Sequence, residues 1–214
     1  MLFIGICGAS GSGKSTLALE LAKMVNREIL IINQDAYYYD HSDMAFEERC
    51  KINYDEPAIF DHDLLLSDIR ALLRGERVLC KQYDYTNHRR APQKEEYLEP
   101  HDVIIVEGIH AFYDERLREM MDLKIYVRVD PDVCLLRRIQ RDINERGRAI
   151  DNISAQYMAT VKPMFDRFIR NYEQYADVIV TKGGKNAKVN KLLASYINND
   201  LHMDSGNAAG GSNA

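Results

Sequence analysis

Apolar residues along the chain fall into two alternating patterns. Short runs suited to buried strands alternate with longer stretches spaced for amphipathic helices. Leu2 to Cys7 reads as a first strand, and Leu17, Leu21, Met24 and Val25 follow on one helical stripe. Glu28 to Ile32 reads as a second strand. Asp61 is placed to cap a helix striped by Leu65, Ile69, Leu72 and Leu73, which Gly75 can stop. Val103 to Val106 and Leu123 to Val129 are further strands. Asp130-Pro131 then opens a helix expected to turn Leu136, Ile139 and Ile143 inward. A long helical stretch from about Ile153 to Arg170, a strand at Val178 to Val180, and a helix striped by Val189, Leu192, Leu193 and Tyr196 complete the pattern. Such alternation predicts an α/β fold whose parallel sheet is covered by helices on both faces. Residues 77–100 break it: two extended segments flank a polar tip, and a β-hairpin insert is expected there.

The chain has 214 residues, enough for one domain with a substantial core, and residues 1–200 are read as that domain. The stretch 204–214 lacks an apolar anchor and is expected to be disordered. The net charge of −5 argues against a generic nucleic-acid-coating role. The aliphatic runs are far too short to span a bilayer. The apolar N-terminus lacks a basic leader and reads as a strand, not a secretion signal. Cys7, Cys50, Cys80 and Cys134 form no CxxC pair or zinc-like spacing, and are expected to be free thiols.

Gly8-Ala9-Ser10-Gly11-Ser12-Gly13-Lys14-Ser15-Thr16 follows the first strand and opens the first helix. This is the G-x4-G-K-[ST] phosphate loop in its required context. Its glycines let successive N–H groups point at phosphate oxygens, Lys14 reaches the outer phosphates, and the Ser15 hydroxyl suits Mg²⁺. The helix N-terminus favours the same anion. The loop indicates a nucleoside triphosphate without saying what becomes of it. A guanine-reading N-K-x-D is missing, since Asn190-Lys191 continues as Leu192-Leu193. Chain length and the hairpin favour a small-molecule kinase over a switch or a motor.

Several segments together resemble the uridine kinase (uridine–cytidine kinase) family of P-loop kinases. They are Gln34-Asp35-Ala36-Tyr37-Tyr38, Asn53-Tyr54-Asp55-Glu56-Pro57 with Phe60-Asp61, and Tyr83-Asp84-Tyr85-Thr86-Asn87-His88. Further along come Val106-Glu107-Gly108-Ile109, the arginine-rich run from Arg137 to Arg148, and Gln156-Tyr157 with Val161-Lys162-Pro163. The resemblance spans Phe3 to about Tyr196. It implies a three-layer P-loop fold with an arginine-rich lid at about 137–150. It also implies transfer of the γ-phosphoryl group of ATP or GTP, with Mg²⁺, to the 5′-hydroxyl of uridine or cytidine.

On this resemblance Asp35 accepts the acceptor hydroxyl's proton and Asp55 binds the ribose hydroxyls. Tyr38 packs near the acceptor, Tyr83 and His88 hold the pyrimidine, and Gln156 reaches the nucleoside. Glu107, with Ser15 and Asp35, belongs to the Mg²⁺ shell. Lys14, Arg138 and Arg141 stabilise the transferred group, Arg146 contacts the nucleotide and Arg148 the substrate. A histidine titrating near ~6.5 would penalise cytidine as the pH drops through that value. Two departures stand out: Glu56 where the family more often has His, and Arg128 where it tends to be acidic. The implied setting is pyrimidine salvage by a cytoplasmic homo-oligomer, a tetramer, binding small molecules but neither nucleic acid nor membrane. The same machinery on another acceptor (pantothenate, a ribulose phosphate, another nucleoside), or a nucleotide-binding switch, are the alternatives.

Overall fold

The computed structural model describes residues 1–92 and 94–207. The chain begins with β1 (Leu2–Gly8), α1 (Lys14–Met24) and β2 (Ile29–Asn33), then a tight 3₁₀ turn over Gln34–Tyr37. Next come α2 (Phe46–Arg49) and α3 (His62–Leu73), and the short strands β3 (Val78–Leu79), β4 (Tyr83–Asp84), β5 (Arg89–Arg90) and β6 (Tyr97–Leu98). The second half runs β7 (Val103–Gly108), α4 (Glu115–Arg118), β8 (Leu123–Arg128) and α5 (Pro131–Arg146). It ends with α6 (Ile150–Gln156), a wide π turn at Tyr157–Val161, α7 (Lys162–Arg167), a 3₁₀ stretch, β9 (Val178–Thr181) and α8 (Ala187–Asn207).

Five parallel strands form the sheet, in the order β2-β7-β1-β8-β9. Both central strands, β1 and β7, are buried along their whole length, which is why they read as continuous apolar runs. Alternate residues feed two cores. Phe3, Cys7, Ile104 and Val106 pack with Leu65, Ile69 and Leu72 of α3 on one face. Ile4, Ile6, Val103 and Ile105 pack with Leu17, Ala18 and Leu21 of α1 and Leu193 and Ile197 of α8 on the other. The cap on α3 forms as expected, with Asp61 accepting the N–H of Leu64 at 3.0 Å.

Two helices depart from their expected faces. On α5, Leu136 is 63% exposed and Ile143 44%, while Cys134, Arg138 and Asp142 are buried. The cause is the neighbour: α5 lies against the phosphate loop, so its inner face meets polar backbone. On α8, Leu192 and Tyr196 point outward, and Leu193, Ala194 and Ile197 are the buried stripe. That helix runs through Asn207, into the stretch expected to be disordered; residues 208–214 lie outside the described residues.

The hairpin stands off the sheet as expected, in two short antiparallel ladders. Val78 pairs with Leu98 and Leu79 with Tyr97 at the base; Tyr83 pairs with Arg90 and Asp84 with Arg89 near the tip. The Asp84 carboxylate closes the tip by accepting the N–H groups of Thr86 and Asn87 at 3.0 and 3.1 Å. Among the described residues, no helix is long and apolar enough to cross a membrane.

Candidate active site

The phosphate loop joins β1 to α1. Gly11 and Gly13 both have left-handed φ, +81° and +97°. A Cβ at Gly11 would lie 2.3 Å from the Cys134 carbonyl oxygen of α5, and one at Gly13 2.9 Å from the Gly184 nitrogen. Glycine is thus required by packing as well as by conformation. Lys14 is buried, and its ammonium donates to the Ala9 carbonyl at 3.0 Å. Ser15 donates to the Glu107 carboxylate at 2.8 Å. Burial pushes the Glu107 carboxyl up, against the opposing pull of Lys14. An open cavity of about 1430 Å³ lies in front of the loop, walled by Arg137, Arg141, Lys182 and Lys185.

A second, smaller cleft of about 530 Å³ lies between the hairpin, the turn after β2 and the arginine segment. Asp35, Tyr38, Asp55, Tyr83, His88, Arg138, Arg141, Arg146, Arg148 and Gln156 all line it. The structure thus brings the expected acceptor-side residues together. Asp35 sits in the 3₁₀ turn, where the Asn33 side chain accepts its N–H at 2.8 Å. The Tyr85 hydroxyl donates to Asp35 Oδ2 at 3.2 Å. Asp55 is buried, accepts a hydrogen bond from Thr160 at 3.0 Å, and has its carboxyl pushed up by burial, with Arg138 pulling the other way. Tyr38 serves both core and site: it is buried, donates to the Tyr54 carbonyl at 3.1 Å, and meets the Tyr83 ring edge-on at 4.9 Å. His88 lies over Tyr54 with ring centres 4.9 Å apart. Burial, then Arg148, Arg49 and Arg146, push the His88 imidazole below its ordinary value, so the titration near ~6.5 expected from sequence moves lower.

The arginine segment is organised around Asp142, which has no solvent exposure. Arg141 donates to Asp142 Oδ1 at 2.8 Å. Arg138, Arg146 and Arg148 approach the same carboxylate at 3.6, 3.5 and 3.9 Å. Arg138 also donates to Ser10 of the phosphate loop at 3.0 Å and to Gln156 at 2.9 Å, and Arg148 donates to Gln156 at 3.0 Å. Gln156 therefore orients two arginines toward the cleft.

Three further placements bear on the site. Arg146 lines the smaller cleft, its guanidinium 4.4 Å from the Tyr85 ring centre, whereas Arg137 lines the phosphate-loop cavity. Glu56 is not among the residues lining the cleft. Arg128 is paired with Glu173 on the surface at 2.8 Å, which offsets its charge.

Sequence reasoning assigns no role to Tyr85, Thr160 or His110, and reads Asp142 only as spaced for an i, i+4 ion pair with Arg138, which forms. Tyr85 and Asp142 stand within quoted motifs, and Thr160 follows Gln156 by one helical turn, which is a usable signal. His110 gives none. It is fully buried, with its ring nitrogens 2.7 Å from the Asp55 carbonyl and 2.9 Å from the Tyr172 hydroxyl, and burial pushes its pKa to about 4. A neutral ring can donate to that carbonyl while accepting from the phenol.

Residues 3–189 match the phosphoribulokinase/uridine kinase family. A protein named uridine kinase from Limosilactobacillus reuteri (strain DSM 20016) is 46% identical over 92% of this chain and 91% of its own. One of the same name from Geobacillus kaustophilus (strain HTA426) is 47% identical over 94% and 95%. Among solved structures, phosphoribulokinase from Rhodobacter spheroides superposes with a TM-score of 0.54 at 16% identity, over 86% of this chain and 72% of that one. D-glycerate 3-kinase from Cryptococcus neoformans does so with 0.53 at 17% identity, over 86% of each. These two likenesses concern the fold, whereas the match along 3–189 runs from β1 into α8 and takes in both cavities. The chain therefore belongs to the phosphoribulokinase/uridine kinase family.

Proposed function

We propose that this protein is a uridine/cytidine kinase, transferring the γ-phosphoryl group of ATP or GTP to the nucleoside 5′-hydroxyl. The observation that carries this reading is the meeting of two cavities at Arg141, which lines both the phosphate-loop cavity and the smaller cleft. A donor's terminal phosphate and an acceptor hydroxyl would approach one another there. Phosphoryl transfer asks the protein chiefly for positioning and charge neutralisation. Arg138 and Arg141 supply positive charge at the junction. Asp35 hydrogen-bonds the 5′-hydroxyl and takes its proton late, as a weak base can when the transition state is loose. Asp55, acceptor-only when ionised, receives the ribose 2′- and 3′-hydroxyls.

The residues present also suit Mg²⁺. Ser15 and Glu107 offer oxygen donors 2.8 Å apart, and the Asp35 carboxylate is close enough to raise the Glu107 carboxyl by its charge. Among the described residues no cluster of three or more His, Cys, Asp or Glu could hold a metal by itself. Mg²⁺ is commonly held by one or two protein groups with phosphates and water completing its shell. Ser15, Glu107 and Asp35 would hold it, and bound there it would neutralise developing phosphate charge.

His88, kept neutral, offers one donor and one acceptor and can exchange them, which suits either pyrimidine. An ADP-release assay over a nucleoside panel tests the reading. Turnover is expected with uridine and cytidine within about an order of magnitude of each other, and little with purine nucleosides. Asp35→Asn is expected to lose ~10²–10⁴ in turnover while keeping ATP affinity. The uridine-to-cytidine ratio of specificity constants should stay level as pH falls through ~6.5 and shift toward uridine only below it. Turnover on another small acceptor alone, or slow acceptor-independent hydrolysis, would replace this function with one of its alternatives.

A further inference from the structure

Tyr85 is left unused by the mechanism, yet it touches two parts of the site that no backbone joins. It belongs to the hairpin tip. Its hydroxyl donates to Asp35 Oδ2 at 3.2 Å, in the turn after β2, and its ring carries the Arg146 guanidinium from the end of α5 at 4.4 Å. Arg146 in turn stands 3.5 Å from the buried Asp142.

The Asp35 backbone is held by its turn and by the Asn33 side chain, but this does not hold its carboxylate plane. The last torsion of an aspartate is broad, so its plane has to be set from outside. A phenol hydroxyl at hydrogen-bond distance from one oxygen does this and leaves the other for the substrate. The cation over the ring holds the phenol itself. Tyr83, two residues earlier, meets Tyr85 edge-on at 5.4 Å and backs the ring from the same hairpin.

We propose that Tyr85 is a positioning residue for phosphoryl transfer: its hydroxyl sets the plane of the Asp35 carboxylate, and its ring ties that plane to the arginine segment through Arg146. This rests on the reading of Asp35 as the group that receives the acceptor hydroxyl. The hairpin then does more than select a base, since it aligns the reacting hydroxyl. A positioning role predicts a loss in kcat without a loss in binding, because a misaligned carboxylate still leaves the ribose, base and phosphate contacts in place.

Tyr85→Phe removes only the hydroxyl and keeps the ring beneath Arg146. We expect kcat with uridine to fall roughly tenfold, the scale of one hydrogen bond to a charged group. KM for uridine and for ATP should stay within about twofold, as should the melting midpoint. Tyr85→Leu, which also removes the cation's ring, should lower kcat further. Asp35→Asn and the Asp35→Asn/Tyr85→Phe double variant complete the cycle, and the double variant should be no slower than Asp35→Asn alone. A Tyr85→Phe enzyme with unchanged kcat overturns the proposal. So does a kcat loss matched by equal losses of ATP affinity and melting midpoint, or one that persists in full on the Asp35→Asn background. If Asp35→Asn itself turns over like the parent enzyme, the reading of Asp35 fails, and that result is separate from an unchanged Tyr85→Phe.

Discussion

Helix α1 places Leu17, Ala18 and Leu21 under the sheet, whereas α5 leaves Leu136 and Ile143 in solvent and buries Arg138 and Asp142. Both follow a strand of the same sheet, and both border the phosphate loop. One is held by apolar burial and the other by charge. The difference follows from what each faces. Helix α1 covers β1 and β7, which present isoleucine and valine. Helix α5 faces the loop, where Arg138 reaches Ser10 and the Cys134 carbonyl would meet any side chain at Gly11. A helix whose inner face turns arginines toward that loop cannot also bury an aliphatic stripe there. One buried carboxylate, Asp142, gathers those arginines instead.

Three substitutions test that contrast. The largest effect is expected at Asp142, since removing one partner from a buried charge cluster typically costs about 3–5 kcal/mol. Asp142→Ala should lower stability in denaturant by that order. Saturating ATP should restore more stability to the variant than to the parent, because phosphates supply the missing negative charge. Equal ATP stabilisation of both proteins would mean that the arginines are not held for phosphate. Next is Leu17→Ala in α1, a buried aliphatic truncation worth about 2–5 kcal/mol. ATP should restore no more stability to this variant than to the parent, since the core is remote from the charge cluster. The smallest is Leu136→Gln on α5, expected within about 0.5 kcal/mol of the parent by the same melt. A loss above 2 kcal/mol there would show that this face is covered in solution.

The same contrast explains what could be read from the residues alone. The strands, the phosphate loop and α3 with its Asp61 cap follow from local periodicity and short-range capping, and they stand within a residue or two of expectation. The outward turn of Leu136 and Ile143 does not, because spacing tells which residues share a face and not what that face meets. The charged residues of the site are legible as motifs, and so is the i, i+4 pair of Arg138 with Asp142, but their distant partners are not. Arg138 to Ser10, Tyr85 to Asp35, Thr160 to Asp55 and His110 to the Asp55 carbonyl join residues 50 or more positions apart, apart from any local rule. His110 carries a further consequence of burial. Its pKa is depressed to about 4, so the neutral ring's stabilisation is present above ~6.5 and is lost as pH falls toward 4.

The outer end of the hairpin is fastened on both sides. Beside the tip, Arg90 donates to the Tyr38 carbonyl at 2.8 Å and to Asp61, the cap of α3, at 3.2 Å. At its tip, the buried Arg49 of α2 donates to the Asn87 carbonyl at 3.1 Å and to the Met44 carbonyl at 2.7 Å. These contacts tie the tip to the turn after β2, to the cap of α3 and to α2, so the hairpin forms one wall of the cleft. The opposite side of the cleft is built differently: α5 ends at Gly147, in a left-handed conformation, and the contacts of Arg138, Arg146 and Arg148 with Asp142 at 3.5–3.9 Å are ion pairs looser than hydrogen bonds. On the proposed function, the arginines that line the cleft are also the groups that neutralise the transferred phosphate, so binding and charge neutralisation would reside in the same few residues.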